Sequence, residues 1–115
     1  MHELSIALSI VDRALEESRV RGDTRVEAVF LRIGQLSGVD VDALRFSFGI
    51  ACDRPQVSGC RLEINEVPIS MDCPNCGAET RTVSVQHLCC SECGTPALEI
   101  VHGRELELQA MEILE

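Results

Sequence analysis

Four cysteines in two pairs constrain this chain more than any other feature. Cys73-Pro74-Asn75-Cys76-Gly77 and Cys90-Ser91-Glu92-Cys93-Gly94 share one spacing, and thirteen residues separate Cys76 from Cys90. Two residues between cysteines let one chain reversal present two sulfurs to a single ion, and the glycine after each pair permits the turn. The stretch between the pairs is long enough for a short hairpin. Four thiolates suit tetrahedral zinc, and a closed set of four leaves no open position for catalysis. The spacing predicts a structural zinc site on Cys73, Cys76, Cys90 and Cys93. Iron in a rubredoxin-like site and a redox dithiol are the alternatives, although two complete pairs exceed what redox chemistry needs. Cys52, Cys60 and Cys89 bring the total to an odd 7, which argues against a disulfide framework. Cys52 and Cys60 read as buried small hydrophobes, while Cys89 reads either as a thiol that exchanges with the adjacent Cys90 or as a free thiol pointing away.

Around this module the hydrophobic pattern predicts an α+β fold. Residues 4–21 read as an amphipathic helix with Leu4, Leu8, Val11 and Leu15 on its apolar stripe, stopped by Gly22-Asp23. Residues 25–34 form an apolar run that suits a strand covered on both faces. A second helix starts near residues 39–42, with an Asp as N-cap and Leu44 and Phe48 facing inward. Residues 60–67 alternate as a half-buried strand that ends at Pro68, and residues 104–114 alternate again. Two helices packed on a three-stranded sheet, with an inserted zinc-ribbon-like satellite, is the expected architecture. Residues 1–70 and 97–115 make the α+β domain and residues 71–96 the zinc-binding domain, which is too short to fold without a staple.

Charge narrows the function. Ten Lys and Arg against 19 Asp and Glu give a formal charge of −9, which repels phosphate backbones and anionic membranes. A zinc-ribbon nucleic-acid module needs a basic satellite, whereas residues 71–96 carry Asp72, Glu79, Arg81 and Glu92. No apolar run approaches the roughly 20 residues that span a bilayer. The start of the chain has acids at positions 3, 12, 16 and 17 in place of a basic leader, so a cytoplasmic protein is expected.

Met1-His2-Glu3 is the second chemical signal. A bulky second residue keeps the initiator Met in place. The Met1 amine, the His2 amide nitrogen and the His2 imidazole then close adjacent chelate rings around one ion. Such nitrogen donors suit Ni(II) or Cu(II), and Glu3 adds a carboxylate oxygen or its own amide. The plainer reading of His2 is the second residue of a frayed terminus.

Together these segments resemble the HypA/HybF family, nickel metallochaperones of [NiFe]-hydrogenase maturation. The resemblance covers nearly the whole length: Met1-His2-Glu3-Leu4-Ser5-Ile6, Ile33-Gly34-Gln35-Leu36-Ser37-Gly38-Val39, Leu44-Arg45-Phe46-Ser47-Phe48, the two cysteine pairs, and Gly103-Arg104-Glu105-Leu106. It implies a protein that is not an enzyme. Zn(2+) is then structural, and Ni(2+) is cargo held through His2, with Met1 and Glu3 beside it. It adds Asp40 as a nearby group, although Asp40 reads equally as the N-cap of the second helix. The implied partners are the maturation GTPase HypB, the hydrogenase large subunit and, in some relatives, urease maturation factors, with no nucleic acid or membrane. His87 lies in the satellite, where it could bond a zinc thiolate or simply face solvent, and His102 reads as a surface residue.

Overall fold

The computed structural model of the chain describes residues 2–73, 75–77, 79–82, 90, 93–94 and 99–114. Its elements are α1 (Glu3–Val20), β1 (Arg25–Gly34), α2 (Val41–Ala51), a 3-10 turn (Pro55–Val57), β2 (Arg61–Val67), β3 (Ile69–Asp72), β4 (Glu79–Thr82), β5 (Glu99–His102) and β6 (Leu106–Leu114). The two helices and the sheet β2-β1-β6 are the architecture that the hydrophobic pattern implies.

The sheet is mixed. Gln35, just past β1, donates to the carbonyl of Val67 at the end of β2 at 3.2 Å, so these two strands run the same way. Gly34 donates to the carbonyl of Glu105, just before β6, at 2.7 Å, so β6 runs against them. Parallel neighbours need a crossover, and α2 lies in it. Central position explains the composition of β1, whose Val26, Ala28, Val29, Leu31 and Ile33 are all buried.

The chain divides into two compact units. The first comprises Met1–Leu31, Val39–Asn65 and Glu107–Glu115. Here α1 packs on α2 and on the 3-10 turn. The inward face of α1 is Ala7, Ile10, Val11, Ala14 and Ser18, while Leu4 and Leu8 are about half exposed. This differs from the leucine stripe that periodicity favours. Three of the five inward residues are small, which lets the helix come close to its neighbours, and the leucines turn outward. Leu44, Phe48 and Ala51 of α2 face inward as expected.

The second unit comprises Arg32–Gly38 and Glu66–Leu106. Its sheet has the order β4-β3-β5 with both pairings antiparallel. Asp72 pairs with Glu79 on one side and Glu99 on the other, and the register slips once on the β5 side, between Ser70 and Met71. Pro68 ends β2, but the chain resumes at once as β3, a strand the alternation does not signal. Ile69, Ser70 and Met71 are all buried, so this short central strand carries no period-two pattern.

Two glycines let segments of this unit cross at backbone contact. A Cβ on Gly34 would stand 2.1 Å from the carbonyl carbon and oxygen of Gly103. Leu36 donates its N–H to that same carbonyl. Gly103 has φ +123, a conformation that side chains rarely adopt.

Candidate metal centre

β3 delivers Cys73 at its exit. The sulfurs of Cys73, Cys76, Cys90 and Cys93 all lie within 4.8 Å of one another, with Cys73 to Cys93 and Cys76 to Cys90 both at 3.5 Å. Tetrahedral zinc with bonds of about 2.3 Å needs sulfurs roughly 3.8 Å apart, so the donor set fits that ion. Each knuckle closes by one bond: Gly77 N–H to the Cys73 carbonyl at 2.8 Å, and Gly94 N–H to the Cys90 carbonyl at 2.9 Å. Both glycines have positive φ, +75 and +76, which explains why glycine follows each pair. Cys73 and Cys90 are buried, whereas Cys76 and Cys93 are exposed.

Burial pushes the Cys73 thiol up, but the N–H groups of Cys76 and Asn75 outweigh it and hold the thiol below its ordinary value. The Cys93 N–H also points at the Cys90 sulfur at 3.5 Å, and the Asn75 side chain donates to the Cys93 sulfur at 3.7 Å. Donors around sulfur stabilise thiolate, the form a metal requires. Cys52 and Cys60 are not in this cluster. They are half-buried, and burial, followed by the neighbouring Cys52, pushes the Cys60 thiol up to about 11. His87 and Cys89 lie outside the described residues.

At the other end of the sequence, His2 is exposed and serves as the N-cap of α1, its carbonyl accepting from Ile6 N–H at 3.2 Å. Glu3, in the first turn, reaches the start of α2, where its Oε2 accepts the Asp40 N–H at 3.4 Å. Asp40 caps α2 by accepting the Ala43 N–H on Oδ1 at 3.1 Å. The structure thus brings Glu3 and Asp40 together next to His2, and Asp40 takes the N-cap role at α2. Met1 lies outside the described residues.

One cluster escaped the sequence reading. The Glu105 carboxylate, 11% exposed, accepts from Gly103 N–H on Oε1 at 2.7 Å, contacts His102 Nδ1 with Oε2 at 2.9 Å and faces Arg32 at 3.7 Å. Burial alone raises its titration, yet the Gly103 and Glu105 N–H groups, then His102, hold it below the ordinary carboxylate value. The only local signal was a glycine two residues ahead of an acid.

A family model described as "Hydrogenase/urease nickel incorporation, metallochaperone, hypA" matches residues 1–113. The hydrogenase maturation factor HypA of Chloroflexus aurantiacus is 49% identical over 112 residues, covering 97% of this chain and 98% of that protein. The hydrogenase maturation factor HybF of Klebsiella pneumoniae is 37% identical over 113 residues, with 97% and 98% covered. Among solved structures, the nickel metallochaperone HypA from Helicobacter pylori aligns with TM-score 0.64 and 23% identity over 99% of this chain and 98% of that one. A second solution structure of a HypA protein aligns with TM-score 0.71 and 22% identity over 99% and 97%. At such identities the structural likeness speaks for the fold.

Proposed function

The chain belongs to the HypA family, and we propose that it carries Ni(II) at its N-terminus for hydrogenase maturation, with zinc on Cys73, Cys76, Cys90 and Cys93 holding the second unit in shape. The observation that carries this reading is the family match across residues 1–113, which takes in the N-terminal His2 together with both cysteine pairs. No chemical transformation is involved, so the protein is not an enzyme. It works in the cytoplasm, and its partners are the GTPase HypB and the hydrogenase large subunit, with urease maturation factors as further recipients.

The start of α1 suits the task. The first four N–H groups of a helix have no intrahelical partner, so the His2 and Glu3 amide nitrogens can turn to a metal without breaking a helical bond. With the Met1 amine and the His2 imidazole, they offer four nitrogens to a square-planar ion. Glu3 enters through this amide, while its carboxylate accepts the Asp40 N–H on Oε2. Asp40 positions Glu3 and keeps negative charge near the ion.

Nickel titration of the zinc-loaded chain with its native N-terminus tests the reading. One nickel should bind, His2→Ala should abolish that binding with zinc retained, and a peptide extension ahead of Met1 should weaken it. Equal binding by the extended chain would remove the amine from the ligand set. Tight binding of one nickel by His2→Ala would place the metal elsewhere.

A further inference from the structure

The outward face of α2 serves neither the core nor a metal. Leu44 and Phe48 turn inward, and Arg45 is drawn onto β2 by its bond to the Leu62 carbonyl at 2.8 Å. Phe46 and Ile50, one turn apart, point away from the core, 73% and 58% exposed. Gly49 lies beside them, exposed, and a Cβ there would meet nothing within 4 Å. The result is an apolar stripe next to a low shelf on an 11-residue helix. Its rim is acidic at the start of α2. Asp42 precedes Phe46 by one turn and has no hydrogen bond or ion pair among the described residues, and Asp40 meets Glu3 just beyond it. At the other end Asp53 and Arg54 are both exposed and offset each other in charge.

We propose that this face docks an amphipathic helix of a partner protein whose apolar stripe is bordered by Lys or Arg. Anchors one turn apart on a helix are how such surfaces engage, and an exposed aromatic is the residue type that interfaces enrich. Gly49 lets the second helix come close, since interaxial distance follows the size of the side chains at the contact. The free carboxylate of Asp42, on a chain of formal charge −9, favours a basic border over an acidic one. A rise of 1.5 Å per residue puts Phe46 about 9 Å along α2 from Asp40. A partner docked here therefore stands beside the end of α1 where His2 and Glu3 lie. The docking face stands on its own, and only this purpose, bringing a recipient next to the cargo, rests on the nickel reading.

The test is an NMR titration of the isotope-labelled, zinc-loaded, nickel-free full chain with two synthetic helical peptides at low and high salt. Both carry the same leucine stripe, bordered by Lys in one and by Glu in the other. The Lys peptide should give saturating shifts at Phe46, Gly49 and Ile50 with Kd of about 10–100 micromolar, and the Glu peptide should bind at least about tenfold more weakly. Phe46→Ser and Ile50→Ser change exposed positions, where stability alters little, and each should weaken the Lys peptide by about tenfold or more. Asp42→Asn should weaken it by roughly 2–5-fold at low salt and less at high salt. Leu114→Ser removes an exposed hydrophobe on β6, at the opposite edge of the sheet from β2, and should leave binding unchanged. No saturable binding of the Lys peptide, equal binding of both peptides, or binding that survives both Phe46→Ser and Ile50→Ser would overturn the proposal, as would an equal loss in Leu114→Ser. Because nickel is absent throughout, failure here leaves the nickel reading standing, and failure of the nickel titration leaves these outcomes as they are.

Discussion

Gly34→Ala should damage the second unit severely, although it adds one methyl group. The new carbon would lie 2.1 Å from the carbonyl carbon and oxygen of Gly103 and 2.6 Å from Arg104 N. These are backbone atoms, so no side chain can swing aside, and one segment must move by more than an ångström to reach ordinary contact. Forced overpacking costs about 1–3 kcal/mol. The movement also strains two bonds at the crossing, Gly34 N–H to Glu105 and Leu36 N–H to Gly103. Each is worth about 0.5–1.5 kcal/mol, which brings the total to roughly 2–6 kcal/mol. Domains are stable by only about 5–15 kcal/mol, so much of the margin goes. Gly49→Ala is the contrasting control. Gly49 lies in α2 with nothing within 4 Å of the added carbon, and Ala there should stabilise by about 0.5–1 kcal/mol. Denaturant melts followed by circular dichroism, alongside zinc release to a chromogenic chelator, give both readouts. Gly34→Ala should release zinc at lower denaturant than the native chain, and Gly49→Ala should not. A Gly34→Ala protein within about 1 kcal/mol of native stability, with unchanged zinc retention, would refute the crossing geometry.

The other consequences concern the two clusters of the second unit. Cys73→Ala should lose zinc and the order of β3–β5 while the helical signal of α1 and α2 persists, whereas Cys60→Ser should keep full zinc by metal analysis; zinc loss in Cys60→Ser would break the ligand assignment. For Glu105, the folded carboxyl titrates below its ordinary value of 4.5, so the ionised form favours the folded state. That contribution is complete above pH 4.5 and disappears as pH falls through the lowered value. Glu105→Gln should flatten this acid limb in stability measured against pH, and an unchanged limb would assign it to other groups.

The sequence announced what local spacing can carry. Both cysteine pairs, the doubly covered β1 and the inward face of α2 each follow from residues within one or two turns or along one strand. The rest depends on partners distant in the chain. Which side of α1 turns inward depends on how closely it can approach α2, so the small residues prevailed over the leucines. β3 stayed hidden because a four-residue strand buried throughout has no alternation to detect. The Glu3–Asp40 bond joins positions 37 residues apart, and the Gly34–Gly103 crossing joins positions farther apart still. A glycine there looks like an ordinary turn residue until the opposing backbone is in view. Glu105 likewise reads as one more exposed acid on an alternating strand, and only the neighbouring Gly103 N–H, His102 and Arg32 reveal it as a half-enclosed charge.

The proposed nickel site at the start of α1 raises one electrostatic difficulty, and it yields the sharpest test of how the ion would be held. The N-terminus of a helix carries about half a positive charge, which opposes a bound cation by about 0.3–1 kcal/mol. Glu3 and Asp40 stand beside that end and offset it. If Glu3 acts only through its field, Glu3→Gln should weaken nickel binding by roughly 2–5-fold, because the amide oxygen still accepts the Asp40 N–H and the backbone ligand remains. If the carboxylate itself ligates nickel, the same substitution should weaken binding by about a hundredfold or more, as loss of a charged partner does. Competition titrations against a nickel chelator of known affinity resolve these outcomes. The small loss supports an ion held by backbone nitrogens and His2, loosely enough to be passed on, and the large one would move Glu3 into the ligand set.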